Sequence, residues 1–202
     1  MKLVTWNVQW CLGCDGVVDV ARIVRDARAF ADFDVLCLQE VAANFPALKG
    51  SAGEDQFAAL AALLPGFTAV PGIAVDTAGP GATRRSFGNM ILSRYPVVQA
   101  MRLQLPWPFD AVKRSMPRLL LEATIDAPFG PLRVMTTHLE YYSATQRAAQ
   151  VEAVRARHAE ACGHALAAGA GAGDQSHGPF QRQPQTVSAI LSGDFNIRPS
   201  DP

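Results

Sequence analysis

Four short β-prone runs, each closing on a polar side chain, constrain this chain more than any other feature of it. Residues 187–191 are an apolar run that ends in Ser192-Gly193-Asp194-Phe195-Asn196. Residues 2–8 carry Asn7 near their end, 34–38 close on Gln39 and Glu40, and 132–137 close on His138. Each run is short, aliphatic or β-branched, and bounded by turn or helix signals, which favours strand over helix. If strand geometry persists through 194–196, Asp194 and Asn196 point one way and Phe195 the other, as an anchor. A Gly-Asp turn uses the same residues, and for a single run that plainer reading is the commoner one. Its recurrence in four runs weighs against it. In layered α/β folds the carboxyl edge of the strands is where ligands bind. Two carboxylates, a histidine and two carboxamides at such an edge suit a hard divalent cation, because Mg²⁺ takes one or two carboxylates and leaves other positions to water and phosphate.

Thr5-Trp6-Asn7, Gln39-Glu40, Thr137-His138-Leu139-Glu140 and Gly193-Asp194-Phe195-Asn196, in this order, resemble the motifs of the endonuclease/exonuclease/phosphatase superfamily, whose members include DNase I-like nucleases, neutral sphingomyelinases and inositol-polyphosphate phosphatases. Gly88-Asn89-Met90-Ile91-Leu92-Ser93-Arg94 resembles the strand those proteins carry between the second and third motifs. The resemblance implies an α/β fold, a four-layered sandwich of two mainly antiparallel sheets packed together with helices outside. It implies hydrolysis of phosphoester bonds with Mg²⁺, or Mn²⁺ in its place, foremost as a phosphodiesterase or nuclease. A phosphomonoesterase or a lipid-headgroup phosphodiesterase is the alternative.

In that reading Glu40 holds the metal, supported by Asn7. His138 and Asn196 hydrogen-bond the phosphate, Asp194 orients or activates the attacking water, and Arg118 lies near the scissile phosphate in preference to Arg114. The implied partner is a phosphoester substrate, nucleic acid among the candidates, and the expected state is a monomer. One departure stands out. The family carries a last Ser-Asp-His motif whose histidine serves in acid–base chemistry with the aspartate, whereas here Asp201 has no following histidine and the sequence ends at Pro202. The expectation is a fold without its final strands, taken from a longer chain. The rival is a non-catalytic module that binds phosphate or Mg²⁺ without turnover.

At 202 residues the chain reads as one domain, 1–202. With 49% apolar residues and 18 basic against 18 acidic side chains, the composition is globular and excludes a strongly basic nucleic-acid binder. Residues 77–121 nevertheless hold Arg84, Arg85, Arg94, Arg102, Lys113, Arg114 and Arg118 against only Asp110, either a phosphate-facing surface or a solvated basic loop. No signal-peptide pattern and no membrane-spanning run is present, so a cytoplasmic location is expected. Cys11-Leu12-Gly13-Cys14 has no second such pair and is read as incidental reduced thiols, with a thiol-based function as a minor rival.

Helical spacing predicts helices over 17–30 and 57–64, and a capping box at Ser143 and Gln146 opens a third helix to about residue 168. Residues 72–85 read as an exposed loop, and 88–93 with 97–105 as two strands joined by a tight turn. Residues 119–125 and the His138 strand are expected to form a hairpin, 106–109 an aromatic loop, and 169–185 a mobile loop. His158, His164 and His177 lack the context of His138 and are read as surface or helix positions.

Overall fold

The unbroken apolar character of residues 35–38 has a simple cause: both faces of their strand are covered. In the computed structural model, which describes residues 1–167, 178, 181 and 183–198, Val35 and Cys37 enter one core while Leu36 and Leu38 enter another. Alternation along a strand sends successive side chains to opposite faces. The elements in order are β1 (Leu3–Asn7), a short turn (Gln9–Cys11), α1 (Val20–Phe30), β2 (Val35–Ala43), α2 (Gln56–Leu63), β3 (Thr68–Ala78), β4 (Arg84–Ser93), β5 (Val97–Gln104), β6 (Leu119–Ala127), β7 (Gly130–His138), α3 (Ala144–Ala167) and β8 (Ala189–Asp194). They build two four-stranded sheets, ordered β1-β2-β4-β3 and β5-β6-β7-β8. Each sheet has one parallel pair, β1 with β2 and β7 with β8, and is otherwise antiparallel.

Three apolar layers hold the sheets and helices together. Val35, Cys37, Ile91, Leu119, Leu121 and Ile125 fill the space between the sheets. Helices α1 and α2 cover the outer face of the first sheet through Ile23, Val24, Phe57 and Leu60. Helix α3 covers the second, with Val154 in one core with Leu120 and Met135. Burying each large aliphatic side chain contributes about 1.5–3 kcal/mol. This is the four-layered α/β sandwich that the resemblance implied.

Local chemistry sets the helix starts. Asp19 accepts from the Arg22 amide at 2.9 Å to cap α1, and Asp55 accepts from the Ala58 amide at 3.1 Å to cap α2. Helix α1 starts at Val20 and not at 17, because Val18 pairs with Leu12 in an isolated bridge. At α3, Ser143 Oγ accepts from the Gln146 amide as a capping box requires. The Gln146 side chain does not close the box. It donates to the Pro108 carbonyl at 2.7 Å and so ties the helix to the loop before β6.

Two sequence expectations need correction. Residues 72–85 are not a loop: β3 runs to Ala78 and β4 starts at Arg84. Small residues there signal close packing, since a Cβ on Gly72 would lie 3.1 Å from Leu121 Cδ2 and 3.2 Å from Leu119 Cδ2 of the facing sheet. The segment 94–96 does not close a hairpin either. Both edges of β4 are already bonded to β2 and β3, so β5 has no place beside it and pairs with β6 in the other sheet. The β6–β7 hairpin forms as expected. Most of 169–185, His177 and Asp201 lie outside the described residues. Among the described residues, no helix is long and apolar enough to cross a membrane.

Candidate active site

The carboxyl ends of β1, β7 and β8 converge with the middle of β2, and each delivers its polar group by a different local device. Asn7 ends β1 and joins the two sheets: its Nδ2 donates to Glu40 Oε1 and to Asp194 Oδ2, each at 3.0 Å. Its Oδ1 accepts from the Gln9 amide at 3.1 Å, which fixes the amide with nitrogen and not carbonyl facing the carboxylates.

Glu40 is not at a strand end. It sits in a bulge of β2, where pairing with β4 skips from Gln39 opposite Asn89 to Val41 opposite Gly88, and its φ is +62°. A bulge of this kind re-aims one side chain without ending the strand. Gln39 beside it is buried and points between the sheets, donating to Thr136 Oγ1 at 2.9 Å and Thr5 Oγ1 at 3.2 Å. Burial pushes the Glu40 carboxyl up from its ordinary value, against the opposing bond from Asn7.

Asp194 ends β8 beside His138, its register partner on β7. The preceding Gly193 has φ +142° and leaves no room for a Cβ against the Thr137 carbonyl, so only glycine fits. Strand geometry does not continue to Asn196, whose φ is +50°. An Asx turn forms instead, with the Asn196 amide donating to Asp194 Oδ1 at 3.1 Å. Asn196 Nδ2 donates to the Leu139 carbonyl at 2.8 Å, which still leaves it lining the cleft, while Phe195 packs into the core under α3.

His138 lies 3.7 Å from Glu40 Oε1 through Nδ1 and 3.7 Å from Asp194 Oδ2 through Nε2. Burial and the nearby Arg118 outweigh the Asp194 carboxylate and push its imidazole down to about 4, so the ring is neutral at pH 7. Arg118 is 6% exposed, and its Nε and Nη2 both reach Glu140 Oε2 at 3.3 Å. Glu140 is itself held by the Tyr142 amide at 2.8 Å. The remaining Arg118 nitrogen, Nη1, is buried without a hydrogen-bond partner. Buried donors are seldom left so.

Glu40, Arg118, His138, Asp194 and Asn196 line one cleft of about 630 Å³, with Asn7 bonded to two of them from behind. The donor set fits a hard cation that keeps open positions, because the two carboxylates are of the number Mg²⁺ uses. Among the described residues no cluster of three or more His, Cys, Asp or Glu side chains has metal-binding geometry. The wall of the cleft also contains residues that the sequence reading missed: Trp10, Phe45, Leu48, Tyr141 and Tyr142. They follow no period, and only the nearness of Trp10 to Asn7 and of Tyr141 to His138 hinted at them.

The basic stretch 77–121 is not one surface. Arg84 pairs with Asp76 and Arg94 with Asp32, whereas Arg114 and Arg118 reach the cleft. Cys11 is buried, its thiol pushed up to about 12 mainly by burial, which keeps it protonated and unreactive at neutral pH. Cys14 is exposed, and all four cysteines are free.

A family model described as the Endonuclease/Exonuclease/phosphatase family matches residues 4–202. Among solved structures, an endonuclease/exonuclease/phosphatase from Beutenbergia cavernae is 32% identical, over 75% of this chain and 42% of that one, with a TM-score of 0.62. A mannosyl-6-phosphatase from Bacteroides thetaiotaomicron is 17% identical, over 96% of this chain and 65% of its own, with a TM-score of 0.60. D. rerio TDP2, complexed with single strand DNA product, is 20% identical over 97% and 60%, with a TM-score of 0.55. The last two share the fold. No curated protein matches the sequence. The chain therefore spans between 42% and 65% of the length of these three structures.

Proposed function

We propose, because this chain belongs to the Endonuclease/Exonuclease/phosphatase family, that it is a divalent-metal-dependent phosphoesterase, foremost a phosphodiesterase. The unpartnered Nη1 of buried Arg118, in one cleft with Glu40, His138 and Asp194, carries this reading. A buried donor without a partner costs about 1–3 kcal/mol, and a phosphate oxygen in the cleft relieves that cost. Glu40 is the residue that would hold Mg²⁺ or Mn²⁺, with Asn7 keeping its carboxylate and that of Asp194 in place. When bound, the cation supplies Lewis-acid polarisation of a phosphate oxygen.

The chain's own groups do the rest. Neutral His138 offers a ring N–H to the phosphate, where preorganised donors stabilise charge as it builds on the oxygens. Asn196 bonds Leu139 with one amide hydrogen and keeps a second for the same purpose. Asp194 accepts a proton from the attacking water. The Glu140 carboxylate fixes the Arg118 fork, so that its free edge meets the substrate already oriented.

The test is hydrolysis of bis(4-nitrophenyl) phosphate against 4-nitrophenyl phosphate with Mg²⁺. Diester turnover is expected, abolished by EDTA and lowered roughly a hundredfold or more by Asp194→Ala or Glu40→Gln. Turnover of the monoester alone would assign a phosphatase. Binding of Mg²⁺ and phosphate without any turnover would replace the enzyme with a binding module.

A further inference from the structure

We infer that the turn Gln9–Cys11 is a specificity element, holding Trp10 on the cleft wall so that Trp10 and Tyr142 select phosphoesters that carry a flat unsaturated group; this rests on the phosphoesterase reading above. Three consecutive non-glycine residues, Gln9, Trp10 and Cys11, have φ of +46°, +45° and +60°. L side chains disfavour that region, and runs of it persist only where the surroundings over-determine them.

They do so here. The Trp10 indole donates to the Lys49 carbonyl at 2.9 Å, Gln56 Nε2 donates to the Trp10 carbonyl at 2.8 Å, and the Asp19 amide donates to the Cys11 carbonyl at 3.0 Å. Gln56 is fully buried, and its Oε1 also accepts from the Ala42 amide at 3.1 Å, two residues past Glu40. One glutamine thus sets both the turn and the strand that presents the candidate metal ligand. The outcome of this clamping is a half-buried indole lining the cleft.

The rest of the wall agrees. Phe45, Leu48, Phe87 and Met116 make it apolar beside the carboxylates. From the second sheet's side comes Tyr142, 44% exposed, with the Arg114 guanidinium 4.8 Å from its ring centroid. A site built for a polyanion would present free cations. In this cleft Arg118 is already held by Glu140, and Arg114 is stacked on Tyr142. Indole, phenol and guanidinium faces all favour a flat π-system over an alkyl group of similar size. The free Arg118 Nη1 in the same cleft anchors the phosphate to which that group is attached.

Phenylphosphonate and methylphosphonate test this without hydrolysis, since neither contains an ester bond. Calorimetry on the full chain with Mg²⁺ is expected to give roughly tenfold tighter binding of the phenyl compound. Trp10→Ala and Tyr142→Ala should each remove most of that preference without weakening methylphosphonate, and Trp10→Phe should retain it. Tyr142 is a surface residue, so its variant keeps the test valid even where Trp10→Ala fails to fold. Equal affinities in the unaltered protein, a preference that survives both alanine variants, or no binding of phenylphosphonate would each overturn the inference. Competition by thymidine 5′-monophosphate and not by deoxyribose 5-phosphate would identify the flat group as a nucleobase, and competition by neither an isolated aryl ester. An inert ester assay alongside intact binding preference would sink the phosphoesterase reading and not this one.

Discussion

At the scale of single residues, Glu40 is held where its backbone resists. Its φ of +62° lies in the left-handed region, and burial opposes its ionisation. Both features are unfavourable for folding and both serve a carboxylate aimed into a cleft. Glu40→Gly is therefore expected to raise the stability of the metal-free protein by about 1 kcal/mol while abolishing hydrolysis. Urea denaturation and turnover measured on one preparation check the pair. A variant less stable than the parent would show that the bulge carries no strain. The identity of Glu40 as a candidate was readable from Gln39-Glu40 at the end of an apolar run. Its conformation was not, because the bulge exists only once Gln39 and Val41 pair with β4.

At the scale of elements, α3 is fastened to its sheet by charge as well as by apolar contact. Glu122 on β6 is 1% exposed and meets Arg157 Nη2 of α3 at 2.7 Å and Arg133 Nη1 of β7 at 3.4 Å. Arg133 Nη2 also lies 2.8 Å from His158 Nδ1, so one of the histidines without a site motif belongs to this fastening. Removing one partner of a buried pair leaves the other charges uncompensated, at about 3–5 kcal/mol. Glu122→Ala should destabilise by that order, and hydrogen exchange should show α3 amides opening before those of α1. Equal loss of protection in both helices would refute a local role. The partners of Glu122 lie 11 and 35 residues away in sequence, so this fastening was not legible there.

At the scale of the whole molecule, the candidate site straddles the two sheets: Asn7 and Glu40 come from one, His138 and Asp194 from the other. A ligand bound there couples both halves to folding. Mg²⁺ with inorganic phosphate at a hundred times its Kd should add about 2.7 kcal/mol of stability, a rise in Tm of roughly 5–10 °C for a chain of this size. Thermal denaturation with and without EDTA measures it. A Tm that ignores both Mg²⁺ and phosphate would show that the carboxylates and Arg118 do not act as one site.

The order of the strands along the chain, the helix cap at Ser143, and the polar groups that close four apolar runs were all legible in the sequence. Period-two alternation, cap chemistry and turn residues act within a few positions of one another, so they are written locally. Which sheet β5 joins, the length of β3, the bulge at Glu40, the left-handed turn under Trp10 and the Arg118–Glu140 pair were decided by the tertiary structure. Each depends on an edge already bonded, a sheet pressing from across the core, or a partner tens of residues away, and none of these exists until the layers have packed.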